Sequence, residues 1–372
     1  MKKQFRLLAL LFSLLFVLTS CALPGAGTGT GSTPASSVTE GNGATPLPSG
    51  AQFEVHFIDV GQADAALILC DGKAMMIDGG NAADSSLVYT YLKKRGITHI
   101  DYMICTHAHE DHVGGLPGAL RAATVGVAMA PVTEYDSRAF RNYVSAVENQ
   151  GKTLTVPQAG DRFSLGSTEV TVLGPVREYT ETNNTSIVLR VVFGSLSFLF
   201  TGDMERDAEA DLLDAGVSVA STVLKVGHHG SNTSTSYRFL REVDPTYAVI
   251  SVGKDNSYGH PNEEPLSRLR DADVTLYRTD LQGDIVCRSN DGKTLTFQTS
   301  KNSSVPTNPT EDSRTESDTA AASEYAFVGN AETKKYHRLT CSSLPAEDKR
   351  CYFITEEEAQ RAGYTACKRC LP

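Results

Sequence analysis

The chain lacks an excess of positive charge: 34 lysines and arginines stand against 44 aspartates and glutamates, a net charge of −10 over 372 residues. That balance excludes a protein that grips nucleic acid over its whole surface, although a local basic patch stays open. Also missing is an apolar run long enough to cross a bilayer. The longest, LLALLFSLLFVL at residues 7–18, falls short of the ~20 residues that a spanning helix needs. No internal repeat is present. Large apolar residues nearly vanish in two places, residues 22–50 and 299–324, and neither stretch can build a core. Histidine is scarce, with nine in the chain, so a cluster of it carries information.

These absences divide the chain. Lys2, Lys3 and Arg6 precede the apolar run and LTSC follows it, an order that reads as an export signal over residues 1–20. LTSC resembles the lipobox of bacterial lipoproteins. The resemblance implies cleavage before Cys21, a diacylglycerol on its thiol, and a protein held by that lipid on the extracellular face of the bacterial cell membrane. Residues 21–50 then form a flexible tether, 51–298 a large domain, 299–324 a disordered linker and 325–372 a small module. Cys70, Cys105 and Cys287 lie in apolar runs and read as buried free thiols.

Within the large domain, FEVHFIDV, AALILC and AMMID read as strands, with Asp71-Gly72 turning between the last two. Asp84 caps a helix over SSLVYTYLKKRG, and HIDYMICT is a buried strand. SIVLRVVF and LSFLFTGD form a hairpin, ERDAEADLLDAG a helix, and STVLKV a strand ending at GHHGS. Paired strands mixed with helices predict an α/β sandwich of two sheets covered by helices.

THAHEDH, residues 106–112, packs three histidines and two acids into seven positions at the end of a strand. Imidazole nitrogens and carboxylate oxygens in that density suit Zn²⁺, Mn²⁺ or Fe, and the spacing supplies two half-sites. The pattern His107-x-His109-x-Asp111-His112 resembles the metal-binding motif of the metallo-β-lactamase superfamily, and the resemblance implies its αββα sandwich. Asp59 in FIDVGQADA and Asp78 in MIDGG resemble the early strand-end acids of that family. Asp203 in FLFTGD matches its metal-bridging aspartate, and LKVGHHGS matches the place of the final histidine ligand, leaving open whether His228 or His229 serves. Asn183 and Asn184 stand where the wider superfamily has a further histidine. DVGQADA, NNTSIVLR, FLFTGD, VLKVGHHGS and YGHP together are similar to the lactamase-like domain of competence DNA-uptake channel proteins, over Phe53 to about Thr299. The resemblance implies two divalent ions, Zn or Mn, and hydrolysis by a water activated between them, with Asp111 holding the nucleophile and His260 of YGHP protonating the leaving group or steadying an oxyanion. Lys225, at a strand end, reads as solvated, and His56 and His99 carry no assigned role.

In the C-terminal module, His337-x3-Cys341 and Cys367-x2-Cys370 are separated by 25 residues, two pairs that can close on one structural, tetrahedral Zn²⁺. Two disulfides among Cys341, Cys351, Cys367 and Cys370 are the competing reading outside the cytoplasm. The spacing is similar to the four-cysteine zinc domain of the bacterial adaptive-response DNA repair proteins, with His337 in place of the first cysteine. Because an imidazole replaces a thiolate, the methyl-acceptor activity of that family is not carried over. Lys334, Lys335, Arg338, Lys349, Arg350, Arg361, Lys368 and Arg369 make this the basic part of the chain. The expectation is a metal-dependent phosphodiesterase or nuclease acting on extracellular DNA, single-stranded by preference, without a nucleotide cofactor. The alternatives are a hydrolase of a small envelope ester or phosphoester, or a non-catalytic metal-containing DNA-binding lipoprotein.

Overall fold

The computed structural model describes residues 47–309, 326–339, 341, 344–345, 349–353 and 355–371. The export signal, Cys21, most of the tether and the linker beyond residue 309 lie outside the described residues. Among those described, no helix is long and apolar enough to cross a membrane.

One sheet begins with β1 (Phe53–Phe57), β2 (Ala65–Cys70), β3 (Lys73–Gly79), β4 (His99–Ile104), β5 (Thr124–Met129) and β6 (Leu154–Thr155). A second holds β7 (Arg162–Leu165), β8 (Thr168–Gly174), β9 (Val188–Phe193), β10 (Leu196–Phe200), β11 (Val223–Lys225), β12 (Tyr247–Ile250) and β13 (Thr275–Arg278). The chain then returns to the first sheet with β14 (Ile285–Ser289) and β15 (Thr296–Thr299). The strand orders are β15-β14-β1-β2-β3-β4-β5-β6 and β13-β12-β11-β10-β9-β8-β7.

Local chemistry decides where each sheet turns antiparallel or parallel. Asp71 and Gly72 both take positive φ, 50° and 79°, and close the tight β2–β3 hairpin that Asp-Gly favours. Parallel neighbours need crossovers, and helices supply them. α1 (Ser85–Lys94) links β3 to β4, α2 (Glu110–Val113) and α3 (Leu116–Ala122) link β4 to β5, and α4 (Arg138–Glu148) links β5 to β6. On the other sheet, α5 (Arg206–Asp214), α6 (Tyr237–Val243) and α7 (Glu263–Asp271) join β10 through β13. The short α8 (Thr279–Gln282) leads out to β14.

Three apolar layers hold this arrangement. Between the sheets Phe53 stacks on Phe193 at 4.9 Å and meets Phe198 at 5.1 Å, with Phe57 over Phe200. α4 turns Ala139, Phe140, Tyr143 and Val147 inward, a helical spacing, against the outer face of the first sheet. Leu212, Phe239, Leu240, Leu266 and Leu269 cover the second sheet likewise. The result is an αββα sandwich whose parallel strands all point their carboxyl ends toward one edge, where ligands of open α/β sheets bind.

The linker expected from residue 299 differs in its first part. Asn308 Nδ2 donates to the Leu266 carbonyl at 3.0 Å, Thr307 Oγ1 to Leu276 at 2.6 Å, and the Lys301 amide to Gln282 at 2.8 Å. Polar side chains that cannot build a core still order a segment when they meet free backbone acceptors.

The C-terminal residues form a separate small sheet, β18-β16-β17-β19, from β16 (Phe327–Asn330), β17 (Lys335–Arg338), β18 (Arg350–Phe353) and β19 (Thr365–Ala366), with α9 (Glu356–Arg361) beside it. Its core is Phe327, Tyr336, Phe353, Ala359 and Tyr364.

Candidate metal centre and active-site cleft

The carboxyl ends of β3, β4, β10, β11 and β12 bring the candidate residues together. Past β4 the chain bends through His107 and His109, and His109 sits at the cap of α2, so Asp111 and His112 ride on the first helical turn. A further helix, α3, starts at Leu116 with Gly115 at its cap. Gly115 also marks a close crossing: a Cβ there would lie 1.8 Å from the Gly79 carbonyl oxygen. Asp203 follows Gly202, whose φ of 52° lets the chain turn sharply, and where a Cβ would press on Ser186 Oγ at 2.8 Å.

Ligand atoms of Asp111, His112, Asp203 and His229 all lie within 4.8 Å of one another. His112 Nε2 is 3.3 Å from Asp203 Oδ1, and His229 Nε2 is 3.2 Å from Asp111 Oδ2 and 3.6 Å from Asp203 Oδ2. On the other side of Asp203, His107 Nε2 lies 3.9 Å from Oδ2 and 3.1 Å from His109 Nδ1.

The partners behind the rings orient them. His229 Nδ1 is 3.0 Å from the Ser251 carbonyl, which only accepts, so Nδ1 carries a proton and Nε2 is the atom turned toward the cluster. His112 Nδ1 meets Asp78 Oδ2 at 2.9 Å, and Asp78 is in turn held by the Thr106 amide and hydroxyl at 2.8 and 2.7 Å. Of the two early acids singled out in the sequence, Asp78 lies against the cluster. Asp59 does not: its carboxylate pairs with Lys301 at 2.8 Å.

The buried acid next to the cluster is Asp64, which the sequence reading missed. Asp64 Oδ2 is 2.8 Å from Lys225 Nζ and Oδ1 is 3.3 Å from His229 Nδ1, all three residues being buried. Lys225 is therefore an interior counter-ion and not a solvated strand end, because the acid and base bury each other's charge. A charged residue set directly before the apolar run AALILC was the available signal. Lys225→Met leaves a buried carboxylate unpaired and is expected to cost about 3–5 kcal/mol of stability. Urea denaturation measures it, and the double change Asp64→Asn with Lys225→Met should recover much of the loss. A single-variant loss below ~1 kcal/mol would show that the pair is not holding this wall.

Electrostatics follow from burial against convergent acids. Burial opposes charge on His112, but Asp203, Asp78 and Asp111 outweigh it and hold the ring well above the usual imidazole range. His229 is likewise raised, to about 10, by Asp203 and Asp64 against its burial. His107, buried beside His112, is pushed well down. Asp203 stays ionised despite burial because His112 and His229 face it.

The test of metal fit lies in atoms without partners. Asp203 Oδ1, His112 Nε2 and Asn183 Oδ1 are buried and make no hydrogen bond. A buried carboxylate oxygen and imidazole nitrogen that face each other at 3.3 Å without a hydrogen bond are costly, and a divalent cation between them satisfies both. The residues fit such ions. Asn184 is spent elsewhere, its Oδ1 accepting from the Glu205 amide at 3.0 Å, so of the two asparagines Asn183 faces the cleft.

His228 and His229 are separated by backbone geometry. Both adopt left-handed φ, 50° and 53°, between Gly227 and Gly230, which turns one ring inward and the other toward solvent. His228 Nδ1 bonds Thr233 Oγ1 at 3.1 Å, and its Nε2 lies 3.6 Å from Asp203 Oδ2. His260, half-buried, packs edge-on against His228 at 5.6 Å and is pulled down to about 4 by burial and by the neighbouring His228 and His229. His228, His229 and His260 line a cleft of about 560 Å³ together with Gln62, Asn183 and Tyr258, and Asp111 and Asp203 form its floor. A smaller cavity is lined by Asp64, Asp78, Thr106 and Lys225.

In the C-terminal sheet, His337 on β17, Cys341, Cys367 and Cys370 bring their ligand atoms within 4.8 Å of one another. The β17–β19 pairing sets this up by placing the Cys367 amide on the Tyr336 carbonyl at 2.9 Å. Cys351 stands apart, its thiol donating to the Tyr364 hydroxyl at 3.1 Å, and the described cysteines are all unpaired. His56 is buried on Tyr91 at 3.0 Å, and His99 bonds Thr124; neither approaches the cleft.

Residues 58–254 match the family model of the metallo-beta-lactamase superfamily, and residues 312–372 match the metal binding domain of Ada. The chain is 30% identical over 257 residues to ComE operon protein 3 of Bacillus subtilis, covering 64% of this chain and 33% of that protein. It is 32% identical over 228 residues to competence protein ComA of Neisseria gonorrhoeae, covering 60% and 30% respectively. It thus spans about a third of the length of these curated relatives. Among solved structures it is similar to the metallo-beta-lactamase fold protein YhfI from Bacillus subtilis, with a TM-score of 0.43, 12% identity, and coverage of 64% of this chain and 100% of that one. With more than half its length matched, the chain belongs to the metallo-beta-lactamase superfamily.

Proposed function

We propose that this chain is a metal-dependent phosphodiesterase or nuclease that acts on DNA outside the cytoplasm, single-stranded DNA being the preferred substrate. The observation that carries the reading is the convergence of Asp111, His112, Asp203 and His229 on the floor of an open cleft, with buried ligand atoms left without partners. The relative whose name refers to competence, competence protein ComA, favours DNA over a β-lactam.

In this reading His107 and His109 would hold one ion and Asp111, His112 and His229 a second, with Asp203 available to both. When bound, such a pair supplies a water activated near neutral pH and positive charge against the phosphoryl oxygens; zinc and manganese both suit the donor set. Asp78 and the Ser251 carbonyl keep the imidazoles in the required tautomers. Asp111 orients the attacking water. His228 and His260 face the substrate side of the cleft and donate hydrogen bonds to a phosphate oxygen or to the leaving oxygen. Residues 325–372 form a module on one structural zinc through His337, Cys341, Cys367 and Cys370, and its lysines and arginines contact the DNA backbone. A lipid on Cys21 keeps residues 51–298 at the outer face of the membrane.

The purified protein supplied with Mn²⁺ or Zn²⁺ should degrade a single-stranded oligonucleotide. A panel of bis-p-nitrophenyl phosphate, choline phosphoesters and a cephalosporin ranks the alternatives. Failure to cut DNA with any divalent metal would defeat the reading. A second reading, metal binding without turnover, is favoured by Asn183 standing where the superfamily has a stronger ligand, and tight metal uptake with no hydrolysis across the panel would establish it.

A further inference from the structure

We propose that Tyr258 is a stacking platform for a nucleobase flanking the scissile phosphodiester, an inference that rests on the phosphodiesterase reading above. Tyr258 is 70% exposed, the highest value among the large apolar side chains of the described residues. A single exposed tyrosine is ordinary on a protein surface. Its setting is not.

The ring belongs to a row that leads out of the metal centre. His229 and His228 rings lie 6.2 Å apart, His228 and His260 5.6 Å, and His260 and Tyr258 5.7 Å, the last pair nearly parallel at 25°. One face of Tyr258 is thus backed by an imidazole while the outer face is open at the mouth of the cleft. A phosphate over Asp203 puts the next nucleotide along this row.

The platform is also fixed in place. Asn256 ties the loop from within: its Oδ1 accepts from the Tyr258 and His260 amides, each at 3.1 Å, and its Nδ2 donates to the Gly253 carbonyl at 2.9 Å. Gln62 links the loop to the segment after β1, accepting from the Gly253 amide at 3.1 Å and approaching His260 Nδ1 at 3.4 Å. An aromatic ring held this way loses little freedom when a base lands on it, so most of the stacking energy appears as binding.

The chemistry of the site selects among occupants. A quaternary ammonium headgroup is recognised by several rings enclosing it, whereas Tyr258 offers one open face. A flat base needs one face, and any base suffices.

The test compares kcat/KM for a thymidine oligonucleotide with that for an abasic strand of the same length, with the full chain and Mn²⁺. The parent protein should prefer the base-bearing strand about tenfold, the size of one stacked base. Tyr258→Ala should abolish that preference, and Tyr258→Phe should keep it, since the stacking face survives. Because the side chain is exposed, both variants should melt with the parent. The proposal is overturned if the parent shows no preference, if the Ala variant keeps it, or if the Ala variant loses turnover of a choline phosphodiester while the strand ratio stands. Cleavage of neither strand by the parent defeats the functional reading itself, and the platform with it. Equal cleavage of both strands defeats the platform alone.

Discussion

Asp203→Ala, with divalent metal supplied, is expected to hydrolyse DNA at less than about one per cent of the parent rate. Even residues that only support metal ligands cost about 10–100-fold when removed, and Asp203 stands between both halves of the centre. Its Oδ1 lies 3.3 Å from His112 Nε2, and its Oδ2 lies 3.6 Å from both His228 and His229 and 3.9 Å from His107. No other side chain approaches all four rings among the described residues. Removing the carboxylate also leaves His112 without the acid that contributes most to holding its charge. The loss should therefore appear as lost metal content, measured by elemental analysis, along with lost turnover. Asp203→Asn separates charge from shape: it keeps the volume, and by this argument it too should fail. An Ala variant retaining more than a tenth of the activity with full metal content would remove Asp203 from the centre.

The second large effect concerns the C-terminal module. Chelation, or Cys367→Ser, is expected to unfold residues 325–372 while leaving the sandwich intact. Among the described residues its apolar cluster is small, built on Phe327, Tyr336, Phe353, Ala359 and Tyr364, too few for independent stability. A structural zinc contributes an apparent 10–16 kcal/mol, roughly, to folding in modules of this type. Limited proteolysis of the full chain reads the outcome: a strong chelator should release the module to protease, and a reductant should not. If the reductant opens the module and the chelator does not, disulfides hold it and the zinc assignment is wrong. The convergence of His337, Cys341, Cys367 and Cys370 within 4.8 Å, with Cys351 turned away onto Tyr364, favours the metal.

The two sites differ in how far sequence could reach. THAHEDH and the His-Cys spacing of the C-terminal module are local, so ligand types a few residues apart announce a cation before any fold is known. FLFTGD and LKVGHHGS were legible through their resemblance to the superfamily's motifs. Asp64 and Lys225 were not recognisable as a pair. Each is an ordinary charged residue at a strand end, and only their 2.8 Å approach across the two sheets makes them a buried pair. Asp59, five residues earlier, offered the same signal and was drawn to Lys301 instead.

By itself the sequence determined the αββα architecture, the clustered donors and the separate cysteine-rich module, because hydrophobic periodicity and short-range spacing encode them directly. Tertiary structure alone decided which acid backs the centre, which of Asn183 and Asn184 faces the cleft, and which of two adjacent histidines turns inward. Those outcomes depend on contacts between strands far apart in the chain and on left-handed backbone at His228 and His229. No local pattern carries that information.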